Sequence, residues 1–306
     1  MDERTRTRPV TAPGLAANYG RGLLMGAADI VPGVSGGTVA LIVGIYERLI
    51  RSIRAGASVP VRLVRGDVEG MRARLREVEW GLVIPLGAGI LTALLIGASV
   101  IEGLLDRYPA QSRGLFFGLI AASIPIPWRR VRARTTRTWV IAGCAAAAAV
   151  LLVAIPPQTI TDPALPLVFG AAAIAICAMI LPGISGSFLL LILGMYVPTL
   201  AAVNDRNLLY IAVFAAGAVI GLGVFSKLLE WLLARRHDAT MAALVGLMLG
   251  SLRALWPWQD LERRVLRPPG DGSELVVIGL LVLGFAAVTL LVRAGARSEE
   301  RTSVPG

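Results

Sequence analysis

The chain is poor in the residues on which most chemistry depends. Of its 306 residues only 16% are charged, and it holds one histidine (His237), one lysine (Lys227) and two cysteines. Cys144 and Cys177 lie in separate apolar runs rather than at metal-ligand spacing, so they are packing residues and no metal site is built on them. With His237 in a loop, no base is positioned for acid–base work. No nucleotide-binding motif is present. Charge this sparse, against 56% hydrophobic residues and a mean hydropathy of +0.71, lies outside the range of a soluble globular domain. The composition is that of an all-α, polytopic membrane protein.

About 20 consecutive apolar residues cross a hydrocarbon core about 30 Å thick. Runs of that kind lie at 80–101, 138–155, 208–233 and 274–293, with shorter ones at 114–127 and 239–257. Arg4, Arg6, Arg8 and Arg21 precede the first apolar stretch as the charged start of a signal peptide would. That stretch is interrupted by a glycine-rich motif and no small-residue cleavage site follows, so it belongs to the fold. The net charge of +10 is a topology signal rather than a nucleic-acid footprint, because 22 of the 30 Lys and Arg fall near the termini and in loops at 48–76, 129–137 and 235–236. Alternating spans put all of these on one face, which the positive-inside rule makes the cytoplasm, with both termini there. Anionic headgroups of the bilayer are their expected neighbours. One loop breaks the pattern: "WQDLERRVLRPPGDGSE" falls on the opposite face yet carries Arg263, Arg264 and Arg267, offset in net charge by Asp260, Glu262, Asp271 and Glu274.

The glycine-rich motif occurs twice. "DIVPGVSGGTVALIVGIY" (29–46) and "MILPGISGSFLLLILGMY" (179–196) share 9 of the 17 positions from Ile30/Ile180 to Tyr46/Tyr196, including Pro32/Pro182, Gly33/Gly183, Ser35/Ser185, Gly36/Gly186 and Gly44/Gly194. Apolar segments that match by chance match leucines, not a Pro-Gly-x-Ser-Gly frame. At a shift of 128 the pairing continues through Gly89/Gly217, Glu102/Glu230, Arg107/Arg235, Gly118/Gly246, Ser123/Ser251 and Trp128/Trp256. The chain thus divides into repeat 1, residues 1–155, and repeat 2, residues 156–306. The arginine-rich segment 51–79 accounts for the change of shift and is expected to be an amphipathic helix on the cytoplasmic surface.

Each repeat reads as a broken hairpin, 20–50 and 165–203, followed by three spans. The arms 20–31 and 36–50 are roughly 18–22 Å long as helix, too short to cross comfortably, so the expectation is a re-entrant hairpin that returns to its own side. The longer arms of the second copy, 165–181 and 187–203, leave open that one of them spans. Three net crossings per repeat invert the second repeat relative to the first. Flanking charge agrees, since Arg21 and Arg48 border hairpin one whereas "PPQTITDPALP" before hairpin two has no Lys or Arg. Inverted-topology repeats with broken helices near the midplane are the scaffold of many secondary transporters.

Non-helical backbone at membrane depth survives only where it is buried in protein or lines a wet cavity, which makes each break a candidate site. Pro32 and Pro182 end the incoming arms, and Gly33 and Gly183 let backbone approach closely. The half-helices starting at Gly36 and Gly186 turn unpaired N–H groups and a positive dipole end toward the break. That geometry suits an anion, with Ser35, Gly36, Gly37 and Thr38 in one copy and Ser185, Gly186 and Ser187 in the other as donors. The ordinary alternative is tight packing of small residues. Asp29 adjoins the break, and its counterpart is Met179. An ionisable residue there marks function by default, as a proton acceptor for coupling or a partner for the headgroup's basic contacts; the bland alternatives are a pair with Arg21 or hydration near the surface. Lys227 lies near the cytoplasmic end of its span, where it either snorkels or meets a phosphate in an inward-open state. Glu102 and Glu230, related by the repeat, are gate residues or helix-end charges.

"MGAADIVPGVSGGTVALIVGIYERLI" (25–50), with "LPGISGS" and "FFGLIAASIP", resembles the bacterial polyprenyl-phosphate transporter family, once known only as a domain of unknown function; the likeness covers most of the chain. The resemblance implies flipping of undecaprenyl phosphate or a related polyprenyl phosphate across the cytoplasmic (inner) membrane for cell-wall synthesis. No cofactor is expected, and since no nucleotide-binding motif is present, a proton or sodium gradient or a substrate imbalance would drive the step. Spacing leads to the scaffold and the anion; the lipid comes from the resemblance alone. Undecaprenyl-diphosphate phosphatases also resemble inverted repeats with re-entrant helices, but Gly36 and Gly186 stand where their Pro-Gly-x-Ser-Arg-Ser arginine would be, and no Glu-Gly-x-x-Glu pair occurs. Hydrolysis then lacks its usual parts. An ion-coupled small-anion transporter differs only in headgroup size and in having no lateral opening to lipid.

Overall fold

A computed structural model describes residues 12–30, 35–97, 103–104, 106–260 and 263–302, and its regular elements are helices. Helix α1 (Ala12–Ile30) leads into the first break, whose Pro32 and Gly33 lie outside the described residues. Helix α2 (Gly36–Ile42) starts behind Ser35, which is extended at φ −133° and whose Oγ accepts the Gly37 N–H. This is the ordinary serine N-cap. The helix ends before Gly44, at φ +74°, a left-handed turn that favours glycine, and α3 (Tyr46–Ala57) follows. Repeat 2 builds the same series: α10 (Leu165–Ile180), α11 (Gly186–Ile192) behind Ser185, Gly194 again at φ +74°, and α12 (Tyr196–Asn204).

Two expectations change here. The returning arms 36–50 and 187–203 are each two helices, because the Gly44 and Gly194 turns bend them; α11 and α12 meet at 106°. The incoming arm α1 has 19 residues, about 28 Å of helix, so shortness is not what would turn the first hairpin back.

Segment 51–79 is not one amphipathic helix. It comprises the end of α3, then α4 (Val59–Val64) and α5 (Val68–Glu77). Gly66 at φ +69° breaks the run and Asp67 restarts it, its carboxylate accepting the Gly70 N–H at 2.8 Å. Helix α3 has a buried face, formed by Tyr46, Ile50, Ser52 and Ala55, whereas α5 has no buried residue.

Helices α9 (Thr136–Ala154), α13 (Leu208–Arg235), α14 (His237–Ser251, prolonged by a tight turn to Leu255) and α15 (Glu274–Thr302) are long and apolar enough to cross a bilayer. The number rises to six if α5 with α6 (Trp80–Thr92) and its following turn, and α11 with α12, each count as one bent span. His237 opens α14 rather than lying in a loop. The run 114–127 is divided, because α7 (Pro109–Ser123) stops where Pro125 begins α8 (Pro125–Arg129). Leu95, Leu208, Val224, Leu275 and Leu290 all point outward and are more than half exposed, an apolar surface that suits lipid rather than water.

Four helix pairs make the body: α1 with α6, α10 with α13, α7 with α15, and α9 with α14. The first two are corresponding pairs within the two repeats. The last two are exchanged, each joining the second span of one repeat to the third span of the other. Glycines allow the close approach. A Cβ on Gly22 would strike the backbone of α6, one on Gly217 that of α10, one on Gly118 that of α15, and one on Gly246 that of α9. Such small-residue faces hold helices together where lipid offers no hydrophobic drive.

Candidate functional site at the paired helix breaks

The two breaks touch. Ser35 Oγ donates to the Met179 carbonyl at 3.1 Å, and Thr38 Oγ1 accepts the Gly183 N–H at 3.1 Å. A Cβ on Gly37 would stand 2.6 Å from the Ile180 carbonyl oxygen, so only glycine lets the chains lie this close. Gly183, at φ +90°, packs against Met248 of α14. Ser35 and Thr38 are wholly buried; Ser185, Pro182 and Gly183 are buried too, while Ser187 retains partial exposure.

The donors of the first break are already used. Asp29 Oδ1 accepts the Gly36 N–H at 2.7 Å, and Ser35 Oγ accepts the Gly37 N–H at 3.1 Å. The expectation of unpaired N–H groups is corrected for this copy: buried donors demand a partner, and the protein supplies its own carboxylate at the positive end of α2. In repeat 2 the Met179 side chain fills the corresponding place against Gly186. There Ser185 and Ser187 bond to one another, Oγ to Oγ, at 2.8 Å.

The remaining candidates separate. Arg21 does not pair with Asp29; it donates to Asn18 Oδ1 at 2.7 Å, and Asn18 Nδ2 donates to the Gly81 carbonyl at 2.8 Å, tying α1 to α6. Lys227 is exposed on α13, as a snorkelling lysine would be. Glu230 forms an ion pair with Arg54 of α3. Glu102 lies outside the described residues. A cavity of about 360 Å³, lined by Arg132, Arg137, Arg235, Arg236 and His237, is at the far end of α14 from the breaks.

One group near the second break was not a candidate in the sequence. Arg263 stacks 4.5 Å over the ring of Phe188, the residue after Ser187. The available signal was the basic loop on the wrong face. For the contact between the breaks, Thr38→Val gives a direct check. It keeps the shape but leaves the buried Gly183 N–H without its acceptor, which costs about 1–3 kcal/mol. A lowered unfolding temperature in detergent is the expected result, and an unchanged one would remove Thr38 from the contact.

Two broken helices bonded to each other inside a lipid-facing helical body define a multi-pass membrane protein whose candidate site is its irregular backbone. The chain belongs to the undecaprenyl phosphate translocase-like family, whose model matches residues 25–271. It is 43% identical over 275 residues to the polyprenyl-phosphate transporter of Vibrio cholerae, covering 89% of this chain and 88% of that protein. It is 31% identical over 299 residues to the polyprenyl-phosphate transporter of Staphylococcus aureus, covering 92% and 98% respectively. Both relatives are named as transporters and neither as an enzyme. No solved structure gives a significant match.

Proposed function

We propose that the protein carries a polyprenyl phosphate, undecaprenyl phosphate or a close relative, between the leaflets of a bacterial cytoplasmic membrane and so recycles the lipid carrier of envelope synthesis. The observation that carries this is the direct bonding of the two breaks, Ser35 to Met179 and Gly183 to Thr38, which gathers hydroxyls and backbone donors of both repeats at one point. Family membership and the names of the relatives support a lipid phosphate as the cargo.

In this scheme residues 1–155 and 156–306 are inverted repeats, and their hairpins 20–50 and 165–203 enter from opposite faces. Both termini are cytoplasmic. The corresponding and exchanged helix pairs and the distribution of arginines support that arrangement. The phosphate is held among Ser35, Gly36, Gly37, Thr38, Ser185, Gly186 and Ser187 while the polyprenyl tail stays in lipid. Asp29 holds the Gly36 N–H in a charge-assisted hydrogen bond; protonation weakens that bond, so the phosphate competes better for the donor. Proton uptake and headgroup binding are thereby linked through one shared donor.

The test is a proteoliposome assay with labelled undecaprenyl phosphate. Faster flipping than in empty vesicles is expected, with no phosphate released from undecaprenyl diphosphate. Flipping no faster than in empty vesicles would sink the lipid assignment.

A further inference from the structure

The described residues of the basic loop that departs from the charge pattern are held by defined contacts. Leu266 N–H donates to the Trp258 carbonyl at 2.8 Å, and Gln259 and Val265 form an antiparallel bridge, closing a small hairpin. Gln259 Nε2 lies within bonding distance of the carbonyls of Arg253, Ala254 and Trp256, at 2.8, 3.1 and 2.8 Å. Trp256 Nε1 donates to the Leu266 carbonyl at 3.0 Å, and its ring meets Phe117 of α7 edge-on at 6.1 Å.

This anchored hairpin holds Arg263 at φ +61°, a left-handed backbone that side-chain-bearing residues rarely adopt. The result is a guanidinium turned inward, 4.5 Å over Phe188 at the second break, within the range of a cation–π contact. Arg113 stands one turn before Phe117, on the face of α7 that meets Trp256. Burial, and then the charge of Arg113, hold the Arg263 guanidinium below its ordinary pKa. Both arginines are half-buried, and among the described residues neither forms an ion pair with a carboxylate. Two like charges on elements joined by the Phe117–Trp256 contact, each partly desolvated, repel each other until an anion joins them.

We propose that Arg113 and Arg263 form a clamp for a phosphate monoester at the mouth of the second break, with Ser187 as the adjoining hydroxyl and Phe188 as the platform that positions Arg263. Two guanidinium forks match the oxygens of a phosphate. The loop lies on the face opposite the arginine-rich insert, so the clamp takes the headgroup on the non-cytoplasmic side before it reaches the breaks. That the phosphate belongs to a lipid rests on the transport function proposed above.

The test uses the full chain in nanodiscs, with labelled undecaprenyl phosphate and inorganic phosphate as separate probes. Arg113→Gln and Arg263→Gln are each expected to weaken binding by about tenfold or more, as loss of a charged hydrogen bond does. The double variant should be little worse than either, because the pair acts as a unit, and Arg263→Lys should recover part of the loss by keeping the charge without the fork. Arg267→Gln, at an exposed position, should bind as the wild type does. Arginine-dependent binding of the lipid alone identifies a headgroup site, and of inorganic phosphate as well a site for the free ion; either supports the clamp. Equal binding by the wild type and both Gln variants overturns it, as does failure of the wild type to bind either probe. Flipping that persists at full rate in both Gln variants also overturns the clamp and leaves transport standing. Arginine-dependent binding without any wild-type flipping keeps the clamp and removes transport.

Discussion

Gly118→Leu is expected to abolish the monodisperse folded protein in mild detergent, while Gly143→Ala leaves it unchanged or slightly more heat-stable. A Cβ at residue 118 would fall on the Leu281 carbonyl oxygen and 2.9 Å from the Phe285 nitrogen. Both are backbone atoms of α15, so no side chain can swing aside and the helices must part. Overpacking typically costs about 1–3 kcal/mol. The loss here is larger, because van der Waals contact is what holds helices together in a membrane and a parted pair loses it along its length. Gly246 faces Ala142 in the corresponding way and should respond alike. Gly143 has nothing within 4 Å of its missing Cβ, and alanine favours helix over glycine by about 1 kcal/mol. Size-exclusion profiles and unfolding temperatures decide the matter: a Gly118→Leu protein as stable as the wild type would mean that α7 and α15 do not meet as described.

Asp29→Asn is expected to slow lipid flipping by about tenfold, within the usual range of coupling between sites, and to flatten its response to a proton gradient. The protein should remain folded. An asparagine oxygen can still accept the Gly36 N–H that Asp29 Oδ1 holds at 2.7 Å; what disappears is the exchangeable proton and the charge. Asp29→Leu makes the contrast, since it leaves that donor unpaired and destabilises by about 1–3 kcal/mol. Flipping by the Asn variant at the wild-type rate, with wild-type dependence on pH, would reduce Asp29 to a helix cap.

The residues that define α2 and α11 show how much of the fold is local. Ser35 and Ser185 cap them, and each closes on a glycine at φ +74°. These features follow from residue identity within one turn, which is why a duplicated sequence frame yields duplicated half-helices. The bends at Gly44 and Gly194 belong to the same class, yet were not legible: a glycine within an apolar run looks alike whether it packs, bends or ends a helix. The division of segment 51–79 at Gly66 was hidden by its even spread of arginines.

By itself, then, the sequence determined that the chain is a helical membrane protein, that it is duplicated, and where each repeat breaks, because composition, periodicity and capping act over a few neighbouring residues. Only the tertiary structure decided which donor meets which acceptor. Ser35 reaches Met179 across 144 positions and Thr38 reaches Gly183 across 145, Asp29 folds back over the start of α2, and a hairpin pinned by Gln259 turns Arg263 toward Phe188. No periodic signal encodes such pairs, since each depends on where packing of the glycine faces brings two distant segments to rest.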